Sequence, residues 1–215
     1  MRWSVVGVVV LVACLSGCSG GAADVVLHAT DARMLPRYDY DYEGKRFTRA
    51  EGRLNASVDT RKDQGSIVAH IEAGPDSYDV SWSSFAGSQP YQSGGATRGV
   101  VLYGSTGNGS TELPAFFAYL ACFGRATARH NGEADFDPTT TRPDFDARFL
   151  VVRGHVRDPQ KGIVYNEARN GPYDPSKPDV GFVNATGSQA ILQLRTATGE
   201  LWYHFEFEDV RLDKY

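Results

Sequence analysis

The carboxyl-terminal quarter of the chain constrains the fold most. Gln189 to Arg195 (QAILQLR) and Glu200 to Arg211 (ELWYHFEFEDVR) each alternate apolar and polar residues, and Thr196-Ala197-Thr198-Gly199 lies between them. Two period-two runs joined by a short turn with glycine near its tip form a β-hairpin. On the second strand Tyr203, Phe205 and Phe207 face the core, while Trp202, His204, Glu206 and Glu208 share the opposite face.

The same rhythm recurs upstream. Arg53 to Val58 and Ser66 to Ala73 read as a hairpin joined across Lys62-Asp63-Gln64-Gly65, with Ile67, Ala69, Ile71 and Ala73 on one face. Tyr78, Val80 and Trp82 continue it after the Gly74-Pro75-Asp76 turn, and Tyr38 to Glu43 alternates tyrosines with acids. Val25 to Leu27, Val100 to Tyr103, Arg148 to Arg157 and Gly162 to Tyr165 read as further strands. Ala86 to Arg98, Glu133 to Asp146 and Asn170 to Pro178 read as loops, being rich in Gly, Ser, Pro or Asp. Leu113 to Arg129 is compatible with a helix capped by Thr111 and Asn131-Gly132. Its aromatics, the interior Gly124 and the β-rich neighbours favour paired strands. The expected architecture is all-β, a single β-sandwich or barrel-like domain of roughly eight to ten strands, with the sandwich preferred.

Composition excludes several classes. The 215-residue chain carries a net charge of −4 with its Lys and Arg dispersed, which argues against a nucleic-acid partner. Of the three cysteines, Cys14 and Cys18 lie in the first eighteen residues, so Cys122 stands alone in the domain and no disulfide framework is available. Cys122 sits in the apolar run FFAYLACF and reads as a buried, inert thiol.

The amino terminus is an address. Arg2 precedes the apolar run Val5 to Leu15, about half the roughly 20 residues a membrane-spanning helix requires, and small residues follow. The junction Leu15-Ser16-Gly17-Cys18 resembles the lipobox of bacterial lipoproteins, in which leucine, two small residues and a cysteine occupy these places. The resemblance covers about the first twenty residues. It implies cleavage after residue 17, acylation of Cys18 with palmitate-type chains, and anchoring to a membrane of the cell envelope. Ser19 in place of aspartate implies the outer membrane in a Gram-negative cell. Residues 18–24 would then be a short lipidated tether and 25–215 the domain.

Three sets of side chains are candidates for chemistry. His204, Glu206 and Glu208 lie on one strand face, spaced to contribute ligands to a divalent metal if His70 or His155 joins them; the alternative is a solvated sheet face. Asp135, Asp137, Asp144 and Asp146 bracket Pro138 to Pro143, an oxygen-rich loop of the kind that suits Ca²⁺, although EF-hand spacing is missing. Tyr40, Tyr91, Tyr173 and Trp202 are candidate aromatic contacts for a glycan or a protein. No nucleophile elbow, His-Glu-x-x-His or phosphate-binding glycine loop is present. The leading expectation is a noncatalytic envelope lipoprotein that binds a protein, glycan or other ligand near the membrane. The alternative is an envelope hydrolase, possibly metal-dependent.

Overall fold

The structure, a computed structural model, describes residues 23–35, 48–85, 95–102, 116–153, 156–158, 162–164, 188–199 and 201–215. Every regular element among them is a strand. In chain order they are β1 (Val25–Leu35), β2 (Thr48–Arg49), β3 (Glu51–Asp59), β4 (Gln64–Ala73), β5 (Asp76–Ser84), β6 (Ala96–Leu102) and β7 (Phe116–His130). They continue with β8 (Glu133–Ala134), β9 (Phe145–Arg153), β10 (Val156–Asp158), β11 (Gly162–Val164), β12 (Ser188–Arg195) and β13 (Leu201–Lys214).

Eight of these close a barrel. β1, β3, β4, β5, β7, β9, β12 and β13 pair in that order, all antiparallel, and β13 returns to β1 over Val26↔Lys214 to Leu35↔His204. Each barrel strand therefore lies beside its nearest barrel neighbours in sequence, an up-and-down meander with no crossover. Of the two expected architectures it is the barrel, not the sandwich. Closure pairs the terminal strands and removes the exposed edges that two open sheets would present. β10 and β11 form a separate two-stranded piece.

Residue size explains how eight strands suffice. An eight-stranded barrel has an interior just wide enough for side chains to fill. Here Leu27, Leu54, Ile71, Phe145, Phe149, Leu192, Phe205 and Phe207 point inward and are fully buried. Alanines at 29, 32, 56, 126, 128, 147 and 190 make room for the aromatics opposite. Tyr78, Tyr203 and Phe205 meet with ring centroids 5.4 to 5.7 Å apart, Tyr203 stacked on Phe205 and Tyr78 edge-on to Tyr203. Outside, β3 to β5 and β7 carry Arg53, Asn55, Ser57, Ser81, Ser83 and Thr127, all exposed. On these strands the apolar side chains point inward and the polar ones outward.

β7 is the strand that the sequence left ambiguous. It is fifteen residues long and pairs with two strands on each edge: β5 and β6 on one, β8 and β9 on the other. Gly124 is needed where β5 ends against it, because a Cβ there would lie 2.0 Å from the Ser84 carbonyl oxygen. Asn131 and Gly132, the expected helix cap, instead form a two-residue hairpin turn between His130 and Glu133, both with positive φ (52° and 81°). Cys122 is free and fully buried, and burial pushes its thiol well above the ordinary value.

Candidate functional site

The candidate residues of the final hairpin occupy the outer wall of β9, β12 and β13. The alternation of β13 sends Tyr203, Phe205 and Phe207 inward, as expected, and His204 and Glu206 outward. The solvated-face alternative fails here, since His204 is only 6 % exposed and Glu206 2 %. Register supplies the reason. Gln193 sits opposite both His204 and Arg148, and Ile191 sits opposite both Glu206 and Leu150. Around these polar groups Phe123, Leu150, Val152 and Ile191 form a second, smaller apolar cluster, so this stretch of wall is itself buried.

The polar groups form one directional track across three strands. Arg148 donates from Nε (2.6 Å) and Nη2 to Gln193 Oε1. A guanidinium only donates, so the Gln193 amide must turn its NH₂ toward His204 Nδ1, 3.2 Å away. Nδ1 is then the acceptor and the ring proton resides on Nε2, which lies 3.1 Å from Glu206 Oε1 without completing a full hydrogen bond. Gln189 Nε2 approaches the other carboxylate oxygen at 3.4 Å. The track thus runs from the Arg148 guanidinium through the Gln193 amide and the His204 ring to the Glu206 carboxyl group. With its proton on Nε2, His204 turns an N–H and not a lone pair toward Glu206, an arrangement that does not ligate a metal. Glu208 lies half-buried farther along β13, and no three His, Cys, Asp or Glu side chains converge as a metal site among the described residues.

The acidic loop is organised differently. Asp135 accepts from the Tyr203 hydroxyl and from the Phe136 amide. Asp137 is completely buried and accepts from the Thr139 amide (2.8 Å), the Thr139 hydroxyl (2.6 Å) and the Ala197 amide of the β12–β13 turn (2.8 Å). Burial alone would raise its carboxyl, but these hydrogen bonds outweigh burial and hold it below the ordinary value. Asp144 and Asp146 both meet the Arg125 guanidinium of β7, and the Arg125 hydrogen bond keeps Asp144 low as well. The four carboxylates turn to Tyr203, the Thr139 and Ala197 amides, and the Arg125 and Arg142 guanidiniums instead of gathering around one cation position.

The remaining described histidines also tie strands together. His28 reaches Asn55 and Asp213, while His70 sits 2.7 Å from Asp79 and 3.3 Å from Glu72. The Asp79 hydrogen bond raises His70 above the ordinary histidine value. His130 bonds Asp76 at 2.8 Å and stacks on Tyr78. His70 belongs to β4, remote in the pairing order from β13, and does not join His204. His155, Cys18, Tyr40, Tyr91 and Tyr173 lie outside the described residues, and Trp202 is described only as backbone in β13.

Arg148, Gln189 and Gln193 are members of the track that sequence reasoning missed. Each is an outward position in an alternating strand, and only the pairing register places them beside His204 and Glu206. Compared with protein-family models, curated proteins and solved structures, the chain matches none.

Proposed function

We propose that the chain is a lipid-anchored protein of the bacterial cell envelope whose β-barrel is a noncatalytic module that binds a protein, glycan or other ligand near the membrane. The observation that carries the noncatalytic part is where the candidate groups end. The described histidines and the acids of residues 135–146 each contact a neighbouring strand or turn, as ties that hold the barrel and its loops. The filled interior supports the same reading, because it directs a ligand to the outer surface or the rims. The hydrolase alternative would rest on His204 beside Glu206, and the burial of both weakens it.

The lipid anchor is supported by Leu15-Ser16-Gly17-Cys18. Two acyl chains, each contributing about 0.8 kcal/mol per buried methylene, make a stable attachment. Replacing Cys18→Ala in the full-length chain is expected to abolish palmitate labelling and to leave an uncleaved precursor. Labelling that persists in this variant would overturn the anchor.

A further inference from the structure

The rim at which β1 starts is clasped to the chain that enters it. Asp24 accepts hydrogen bonds from the Thr60 amide (2.8 Å) and the Thr60 hydroxyl (2.6 Å), and its own amide donates to the Val58 carbonyl. The Lys214 ammonium donates to the Ala23 carbonyl. The Arg98 guanidinium lies 3.6 Å from the Asp24 carboxylate and sits over the Tyr215 ring. Ala23 and Asp24 thus belong to the barrel, and the free tether below Cys18 acylation shrinks to residues 18–22. Five residues reach no farther than about 18 Å even when fully extended.

The charges of this rim are layered. Asp59 lies under the β3–β4 turn with its side chain 6 % exposed, while the two cations paired with it, Arg61 and Lys62, are 66 % and 50 % exposed. Arg98 and Lys214 are exposed too, and Asp24 is mostly covered. Asp63 is an exposed acid of the same turn, and its carboxylate accepts the Ala96 amide. Asp213, next to Lys214, turns its carboxylate along the wall to His28 and Arg211. Among the described side chains the rim therefore presents cations outermost. The wall beside the tether has the other sign: between the two rims β1, β3 and β13 expose Asp31, Asp209 and Asp213 against Arg53 and Arg211.

We propose that this rim, led by Arg61 and Lys62, rests on the anionic headgroups of the anchoring membrane and holds the barrel upright on the bilayer. The inference rests on the lipid-anchor reading and adds an orientation to it. Reach names the occupant, because the tether keeps the rim within about 18 Å of the acylated residue in every pose. Charge selects the pose. Each cation brought to an anionic headgroup surface shifts the contact equilibrium roughly fivefold, whereas toppling would bring the acidic wall down instead. A nine-residue strand such as β3, tilted as in an eight-stranded barrel, rises about 23 Å. In the upright pose the opposite rim, with the loop of residues 135–146, therefore stands clear of the headgroups.

The test uses the full-length acylated protein in phosphatidylcholine vesicles, with or without phosphatidylglycerol, and a fluorescence quencher carried on a lipid headgroup. A fluorophore is attached at Gln64→Cys on the tethered rim or at Ala197→Cys on the opposite one. Both positions are exposed, and Cys122 does not compete for the label because it is buried with its thiol pushed up. With phosphatidylglycerol present, quenching at position 64 is expected to exceed that at 197 severalfold. It should fall toward the value at 197 in the Arg61→Gln/Lys62→Gln variant, and in the unsubstituted rim at high salt. Equal quenching at the two positions overturns the proposal and leaves the anchor standing, as does a contrast that neither salt nor the double variant reduces. Protein that fails to float with vesicles of either composition overturns the anchor and the orientation together.

Discussion

Asp137→Ala tests whether the acidic loop is built by hydrogen bonds. The carboxylate is inaccessible to water, and its removal leaves the Thr139 and Ala197 amides and the Thr139 hydroxyl without their acceptor. A buried donor left unpaired costs about 1–3 kcal/mol. Thr139 and Ala197 are themselves exposed residues, so water reaches part of what is uncovered and the bottom of that range applies, about 1 kcal/mol for each donor. Two amides and a hydroxyl then give about 3 kcal/mol, which lowers the melting temperature of a domain this size by about 6–12 °C. Asp137→Asn keeps one acceptor oxygen and should fall in between. The loss has a pH signature. Because its hydrogen bonds depress the folded-state pKa of Asp137, its contribution is fully present above the unfolded carboxyl value and disappears as pH falls through the folded one. Urea unfolding of wild type and variant should therefore show a gap that is widest near neutrality and narrows below about pH 4. A gap under about 0.5 kcal/mol, the scatter of ordinary surface changes, would refute the pinned loop. A gap that stays constant down to pH 2 would refute its electrostatic origin.

Two further substitution and spectroscopic outcomes follow from close contacts. Gly124→Ala should destabilise the barrel by more than about 3 kcal/mol, because the new Cβ meets backbone at Ser84 and neither strand can yield without breaking its ladder. Gly132→Ala, whose Cβ meets nothing within 4 Å, should cost only about 1 kcal/mol for its positive φ, and equal unfolding midpoints for the two variants would contradict this packing. The ring nitrogens of His204 should report the Nε2–H tautomer in ¹⁵N spectra at neutral pH, and an Nδ1–H signature would mean that the Gln193 amide is reversed and that the track does not run from Arg148 to Glu206.

The strands were legible because their faces differ. In β3, β4, β5 and β13 the inward positions are apolar and the outward ones polar, so a period of two writes both the element and its orientation. β7 was harder because both of its faces are buried over residues 118–124, and a continuous apolar run loses the alternation that separates strand from helix. Its turn added to the ambiguity. Asn-Gly satisfies positive φ equally well after a helix and within a tight hairpin, and only β8, two residues long, decides for the hairpin. Closure was not legible either. Nothing in the sequence of β1 or β13 states that they pair across 169 to 188 residues, and that pairing separates a barrel from a sandwich.

The site was half legible for a related reason. His204 and Glu206 stand out because charged groups on a strand are conspicuous, whereas their burial depends on Arg148 and Gln193 arriving at the same level from β9 and β12. That dependence changes the chemistry inferred from them. An isolated His-x-Glu on a wet strand is a fair metal bite, but the same pair completed by Gln193 and Arg148 has its ring proton assigned by the chain of donors. The acidic loop makes the same point in reverse. Four aspartates close in sequence suggest a cation between them, yet Tyr203, Ala197 and Arg125 are reached first because β7, β12 and β13 place donors within hydrogen-bonding distance of each carboxylate.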